Sequence, residues 1–140
     1  MPEAVIIDCL RTAVGKAPRG ALRNTRPDDM AAAVIRRLLE KHPEVPADEI
    51  DDVILGCAFP EAEAGMNMAR NAALLAGVPD IVPAMTINRF CASGLQSIAM
   101  AADRIRAGGA HIVLAGGAET MSLMPKAGNK FAPNPKLVDE

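Results

Sequence analysis

Short apolar runs alternate with longer amphipathic stretches along the chain. Residues 4–9 (AVIIDC), 52–57 (DVILGC) and 112–115 (IVLA) are apolar runs too brief for helices, and such runs are typical of strands buried on both faces. Residues 84–88 (AMTIN) instead alternate apolar and polar side chains, so one face of that strand is polar. The pattern predicts four strands, with the third at a sheet edge or an interface.

Three helices are predicted between these strands. The first begins at Pro27, where Asp28 and Asp29 suit the positive helix N-terminus, and its apolar residues fall on one face. The second covers residues 67–76 and is stopped by glycine. The third covers residues 93–107, and its first ten residues carry no charge, which predicts burial on most sides.

The resulting order, β-α-β-α-β-α-β, predicts an α/β fold with a mostly parallel sheet covered by helices. Parallel neighbours in such a fold are joined by right-handed crossovers. We see no repeat at solenoid periods. The segment rich in Pro, Gly and Asn from residue 125 to 135 is typical of a linker or of the start of another subdomain.

Composition narrows the function classes. Among 140 residues, 15 Lys and Arg nearly balance 17 Asp and Glu, and three Phe are the only aromatic residues of the Phe, Tyr and Trp group. The chain has neither the excess of basic residues that contacts phosphates nor the aromatic residues that stack on bases, so a nucleic-acid partner is not expected. No apolar run reaches the roughly 20 residues that span a bilayer, and the first apolar run leaves no room for a presequence. We expect a soluble, cytoplasmic protein without a membrane partner.

The three cysteines, Cys9, Cys57 and Cys91, are odd in number and contain no C-x-x-C pair. This spacing favours neither a disulfide framework nor a zinc site, and it fits a reducing compartment. Cys9 and Cys57 lie near the carboxyl ends of apolar strands, a position typical of core filling, although Cys57 is also a candidate for a pocket wall.

Cys91 has a different context, because it lies where the third strand turns into the third helix. Functional groups gather at the carboxyl edge of a parallel sheet, and unpaired N–H groups at a helix N-terminus favour an anion such as a thiolate. The small residues that follow Cys91 leave space for a substrate carbonyl. They are equally compatible with simple close packing, so the residues alone leave a nucleophile and a packing role both open.

Two motifs resemble those of thiolases. Residues 88–97 (NRFCASGLQS) resemble the acyl-enzyme signature, and residues 116–122 (GGAETMS) continue the resemblance. Shorter matches are Arg11-Thr12 with Gly15 and residues 67–70 (NMAR), so the likeness covers essentially the whole chain. Ala13 and Ala92 depart from common family residues, which affects local rigidity rather than chemistry. The nearest subgroup is the bacterial degradative 3-ketoacyl-CoA thiolases.

The resemblance implies a reaction and a site. Cys91 would attack the keto carbon of a 3-ketoacyl-CoA and its backbone N–H would help form an oxyanion hole; CoA would then collect the acyl group. CoA is a substrate, and no separate cofactor or metal is expected. Residues 1–120 would form the N-terminal catalytic domain and residues 121–140 the start of the loop subdomain, with the C-terminal half absent. That half supplies the base histidine and a second cysteine, so we expect the fragment alone to be inactive. The partners implied are acyl-CoA, CoA and further copies in a homodimer or homotetramer.

Other candidate residues have plainer roles. His42 and His111 should lie at the amino edge of the sheet, opposite Cys91, as surface or capping histidines. Glu119 follows the last strand and is interpreted as a structural carboxylate. Three alternatives stay open at this point: an acetoacetyl-CoA thiolase, a non-catalytic thiolase-like domain, and a decarboxylative ketosynthase, against which the GGAETMS stretch argues.

Overall fold

A computed structural model describes residues 2–124 and 128–137 of the chain. Within these ranges three helices alternate with three strands, and short 3-10 turns lie between some of them. In chain order the regular elements are α1 (Pro27–Lys41), β1 (Asp52–Gly56), α2 (Met68–Ala76), β2 (Ala84–Ile87), α3 (Ser93–Arg106) and β3 (Val113–Gly117), with 3-10 turns at Ala47–Glu49, Ala62–Ala64 and Pro135–Leu137.

The three strands form one parallel sheet in the order β2-β1-β3. β1 is central: Val53 is in register with Ala84 of β2 and with Leu114 of β3. β2 lies at an edge, as its alternating pattern predicted. The α/β class and the parallel sheet are therefore confirmed.

The two faces of β1 pack against different helices because successive side chains of a strand point in opposite directions. Val53 and Leu55 join the core cluster formed with α1 and α2. On the other face Asp52 pairs with Arg104 of α3 at 2.6 Å, and Gly56 lies against the start of α3. The sheet is thus covered on both sides, with α1 and α2 in one layer and α3 in the other.

The predicted helix boundaries are confirmed within one residue at the second helix. The Asn67 side chain accepts the backbone N–H of Arg70 at 3.2 Å and so caps α2. Gly77 then adopts a left-handed conformation with φ 89°, which glycine tolerates without strain and which ends the helix. Thr86 of β2 accepts the N–H of Ala69 at 2.9 Å, so the polar face of β2 points toward the start of α2.

The first predicted strand was wrong as an element of this structure. Residues 4–9 form no strand, and Val5, Ile6 and Ile7 are 68%, 77% and 73% exposed. The physical reason is that an apolar run becomes a strand only where its backbone hydrogen-bonds to a neighbouring strand, and residues 4–9 pair with none of the three strands. Cys9, predicted to fill the core, lies in this unpaired segment and is exposed.

The burial expected for the third helix was also only partly correct. Ser93, Ser97 and Ala101 are buried, whereas Leu95 is 73% exposed. One side of α3 meets the sheet, and a cavity of about 900 Å³ lies between α1, α3, β3 and the N-terminal segment. Within the described ranges no helix is long and apolar enough to cross a membrane.

Candidate active site

Cys91 lies on a tight turn between β2 and α3, with its side chain exposed. The residue before it, Phe90, has φ 49°, a backbone conformation that is rare and strained for a bulky side chain. This sharp reversal places Cys91 two residues before the first residue of α3 at the carboxyl edge of the parallel sheet. The sequence predicted this position correctly.

Hydrogen bonds hold the turn from two sides. On its inner side the buried Ser93 hydroxyl accepts the N–H of Arg89 at 2.8 Å and donates to the carbonyl of Phe90 at 2.6 Å. On its outer side the Asn88 carboxamide oxygen accepts the N–H of Phe90 at 2.9 Å. These bonds flank the strained residue and hold the turn on which Cys91 lies.

Close backbone contact seats the start of α3 on the ends of β1 and β3. A Cβ at Gly56 would clash with the backbone of Ser93 and would lie 2.6 Å from the nitrogen of Gly94; one at Gly117 would lie 2.9 Å from the carbonyl oxygen of Gly56. The buried Ser97 hydroxyl also donates to the carbonyl of Gly116 at 2.7 Å. Only glycine leaves room for this approach of helix and sheet.

Cys57 and Glu119 form a second group at the same edge of the sheet. Cys57 is 1% exposed, and its thiol donates to the Glu119 carboxylate at 3.5 Å. Burial, followed by the charge of Glu119, raises the pKa of Cys57 to about 12. Glu119 also accepts the N–H of Ala58 at 2.6 Å. Cys57 is therefore an unreactive core thiol, and Glu119 is the satisfied structural carboxylate that the sequence suggested.

Both histidines lie away from Cys91. His111 follows α3 and its N–H donates to Asp51, which precedes β1, so it lies at the amino edge of the sheet. His42 caps the C-terminal end of α1 and contacts Asp8 at 2.9 Å and Glu44 at 3.0 Å. Hydrogen bonds to Asp8, then to Glu44, raise the pKa of His42. The expectation that neither histidine is the base for Cys91 agrees with this placement.

Asp8 attaches the N-terminal segment to the C-terminal end of α1. Its carboxylate accepts hydrogen bonds from Lys41 at 2.5 Å and from the His42 ring, and these bonds hold the pKa of Asp8 well below its usual range. Sequence reasoning did not find this cluster, because residues 33 and 34 positions apart give no local signal. It also missed Asn88 and Ser93, although an Asn two residues before a turn amide is a recognisable turn signal.

The arrangement can supply a nucleophile and a helix N-terminus, and in the described part of the chain neither histidine lies beside Cys91 to act as a general base. Among residues 2–124 and 128–137, no three His, Cys, Asp or Glu side chains lie close enough to hold a metal ion. The large cavity beside the N-terminal segment does not include Cys91 in its walls. The fold and site define an α/β domain that presents one exposed cysteine on a strained strand-to-helix turn.

Comparison with known proteins gives the family. The family described as "Thiolase, N-terminal domain" matches residues 4–139. The chain therefore belongs to the thiolase family, of which it carries the N-terminal domain.

Several curated proteins are similar to this chain. The chain is 50% identical over 140 residues to a "3-ketoacyl-CoA thiolase" of Bacillus subtilis, an alignment that covers 100% of this chain and 36% of the relative. It is 42% identical over 125 residues to one of Idiomarina loihiensis and 44% identical over 125 residues to one of Salmonella typhimurium, covering 89% of this chain and 32% of each relative. The chain thus spans about a third of the length of these relatives.

Proposed function

We propose that this chain is the nucleophile-bearing part of an acetyl-CoA C-acyltransferase that cleaves 3-ketoacyl-CoA with CoA. The proposal assigns to this chain the activity for which its relatives are named, that of a 3-ketoacyl-CoA thiolase. The observation that carries it is the exposed Cys91 on its strained turn at the start of α3, within the thiolase N-terminal domain.

The chemistry follows from a thiolate at that position. The sulfur attacks the keto carbon, the bond between Cα and the keto carbon breaks, and the electron pair leaves as the enolate of acetyl-CoA, which takes up a proton. The thiol of free CoA then attacks the Cys91 thioester, releasing the shortened acyl-CoA and the cysteine. Amide N–H groups around the helix start would stabilise the oxyanion of each tetrahedral intermediate.

The complete site needs groups that residues 2–124 and 128–137 do not bring to Cys91. A general base must come within about 3 Å or act through one water, and both histidines of the sequence lie at other places in the fold. We propose that the base and the second acid/base cysteine come from the remaining part of a full-length thiolase. Residues 1–120 then form the N-terminal catalytic domain, and 121–140 begin the loop subdomain.

We also propose assembly into a homodimer or homotetramer. The support is the position of β2 at the edge of the sheet, where one row of backbone groups is available to a further strand. A second copy of the same edge would satisfy both rows in an isologous contact.

Acyl transfer through Cys91 is tested in the complete protein with 3-ketoacyl-CoA and no CoA. We expect a mass increase of one acyl group on the peptide containing Cys91, and its loss on addition of CoA. Replacing Cys91 with Ala should lower kcat by at least roughly a thousandfold, whereas Cys9→Ala, at the other exposed thiol, should leave kcat unchanged. Turnover that survives Cys91→Ala would show that another group carries the acyl chain.

A further inference from the structure

One residue, Ala58, links the turn of Cys91 to the other two strands. The Asn88 side-chain NH₂ donates to the carbonyl of Ala58 at 2.8 Å, and the N–H of Ala58 donates to Glu119 at 2.6 Å. Asn88 also accepts the N–H of Phe90 at 2.9 Å. Ala58 follows β1, Glu119 follows β3 and Asn88 follows β2, so hydrogen bonds on both sides of Ala58 connect the carboxyl ends of all three strands to the turn of Cys91.

The turn needs such a support. Phe90 is 72% exposed and has φ 49°, a conformation that costs on the order of 1–3 kcal/mol and persists only when its surroundings enforce it. Burial does not enforce it here, because Asn88, Phe90 and Cys91 are all exposed. The hydrogen bonds of the Ser93 hydroxyl stay within the turn, at Arg89 and Phe90. The Asn88 side chain instead reaches the backbone of Ala58, just beyond the end of β1.

We infer that Asn88 is a positioning residue, which holds the turn to the backbone of Ala58, itself held by Glu119, and so fixes the Cys91 thiol relative to the sheet edge. It does not touch the reacting atoms. The inference rests on the proposed function, in which Cys91 is the nucleophile, and it goes beyond that function by assigning a second residue to the site.

The isosteric variant Asn88→Asp tests this assignment in the complete protein. It keeps the acceptor for the Phe90 N–H, but it removes the donor to Ala58 and places a carboxylate oxygen against a carbonyl oxygen. Since a misplacement of about 1 Å can reduce rate about 100-fold, we expect kcat to fall by roughly 10- to 100-fold while KM changes less than about threefold.

Alkylation of the same thiol provides the second measurement. Iodoacetamide is small and approaches an exposed thiol from many directions, so it does not require the orientation that acyl transfer requires. The rate constant for Cys91, taken relative to the exposed Cys9, should therefore stay within about threefold of wild type in Asn88→Asp. If Asn88 acted only through the overall stability of the domain, kcat and the alkylation rate constant of Cys91 would fall together.

Asn67→Asp is the matched control. The Asn67 side chain likewise donates to a backbone carbonyl, that of Ala84 at 3.1 Å, and accepts a backbone N–H, that of Arg70 at 3.2 Å. It also accepts the Thr86 hydroxyl at 2.9 Å, and it caps α2 rather than the turn of Cys91. We expect this variant to lower thermal stability with little change in kcat. A second variant, Asn88→Ala, removes both contacts and should lower kcat at least as far; if it does not fold, Asn88→Asp decides.

The outcomes separate the two proposals. If Cys91→Ala abolishes turnover and Asn88→Asp keeps kcat within about threefold of wild type, the positioning role is overturned and the proposed function stands. A parallel loss of kcat in Asn88→Asp and Asn67→Asp also overturns it, because both variants would then act through stability. If Cys91→Ala remains active, the proposed function itself fails.

Discussion

Replacing Gly56 with Ala should damage both the stability of the domain and the position of Cys91. Gly56 ends β1 directly under the start of α3. An added Cβ would clash with Ser93 and lie 2.6 Å from the nitrogen of Gly94, whereas ordinary contact begins at 3.4 Å. Both neighbours are backbone atoms, so no rotamer change relieves the clash, and the helix must retreat by about 1 Å to bring the closest of them, the carbonyl carbon of Ser93, to ordinary contact.

The size of the effect follows from that shift. Overpacking of a well-packed interior costs about 1–3 kcal/mol, and the helix start cannot move without moving the turn of Cys91 beside it. We therefore expect the free energy of unfolding to fall by about 1–3 kcal/mol, and kcat to fall by roughly 10- to 100-fold, because a displacement near 1 Å has that consequence for aligned reacting groups.

The assay compares Gly56→Ala with Gly94→Ala in the complete protein, by thermal unfolding at one fixed protein concentration and by thiolysis kinetics. Gly94 is the matched control: it lies in the same contact, yet a Cβ there has open space within 4 Å. Gly94→Ala should be neutral or stabilise by up to about 1 kcal/mol, since Ala favours helix over Gly. Equal thermal midpoints for Gly56→Ala and wild type would refute the reasoning.

Three further predictions concern pH, thiol reactivity and assembly. The pKa of His42 is raised by its contact with Asp8, so the protonated ring stabilises that contact at pH values below 6.5, the value for the unfolded chain. This stabilisation is lost as pH rises through the pKa of His42 in the folded protein. The lowered pKa of Asp8 means that its carboxylate stabilises the same contact above pH 3.8, and that this contribution is lost as pH falls. Proteolysis of residues 2–9 should therefore be slowest between pH 3.8 and pH 6.5. In His42→Gln the increase in proteolysis at higher pH should be smaller than in wild type. With limiting iodoacetamide, peptide mapping should find Cys91 alkylated fastest, Cys9 more slowly and the buried Cys57 last; preferential labelling of either of the others would contradict the assignment of Cys91 as the nucleophile. The complete protein should sediment as a dimer or larger, and an active monomer at micromolar concentration would disprove the assembly.

Local patterns along the sequence were sufficient for most of the fold. Helices α1, α2 and α3 and strands β1, β2 and β3 lie close to their predicted positions, because apolar periodicity, helix caps and glycine stops act between residues close in sequence. The same holds for Cys91, whose strand-to-helix position needs only its immediate neighbours. Cys57 was also placed correctly, as a core residue at the end of an apolar strand.

Tertiary structure decided what depends on partners distant in sequence. Residues 4–9 have the composition of a buried strand, but composition does not specify a partner strand, and in this structure they pair with none of the three strands. The Asp8 tether and the link from Asn88 through Ala58 to Glu119 likewise join residues 30 or more positions apart. Apolar burial is non-directional, so a hydrophobic pattern can specify that a segment is buried without specifying its neighbour. Hydrogen bonds and close backbone contacts depend on direction and distance, and these are set only when the strands and helices have come together.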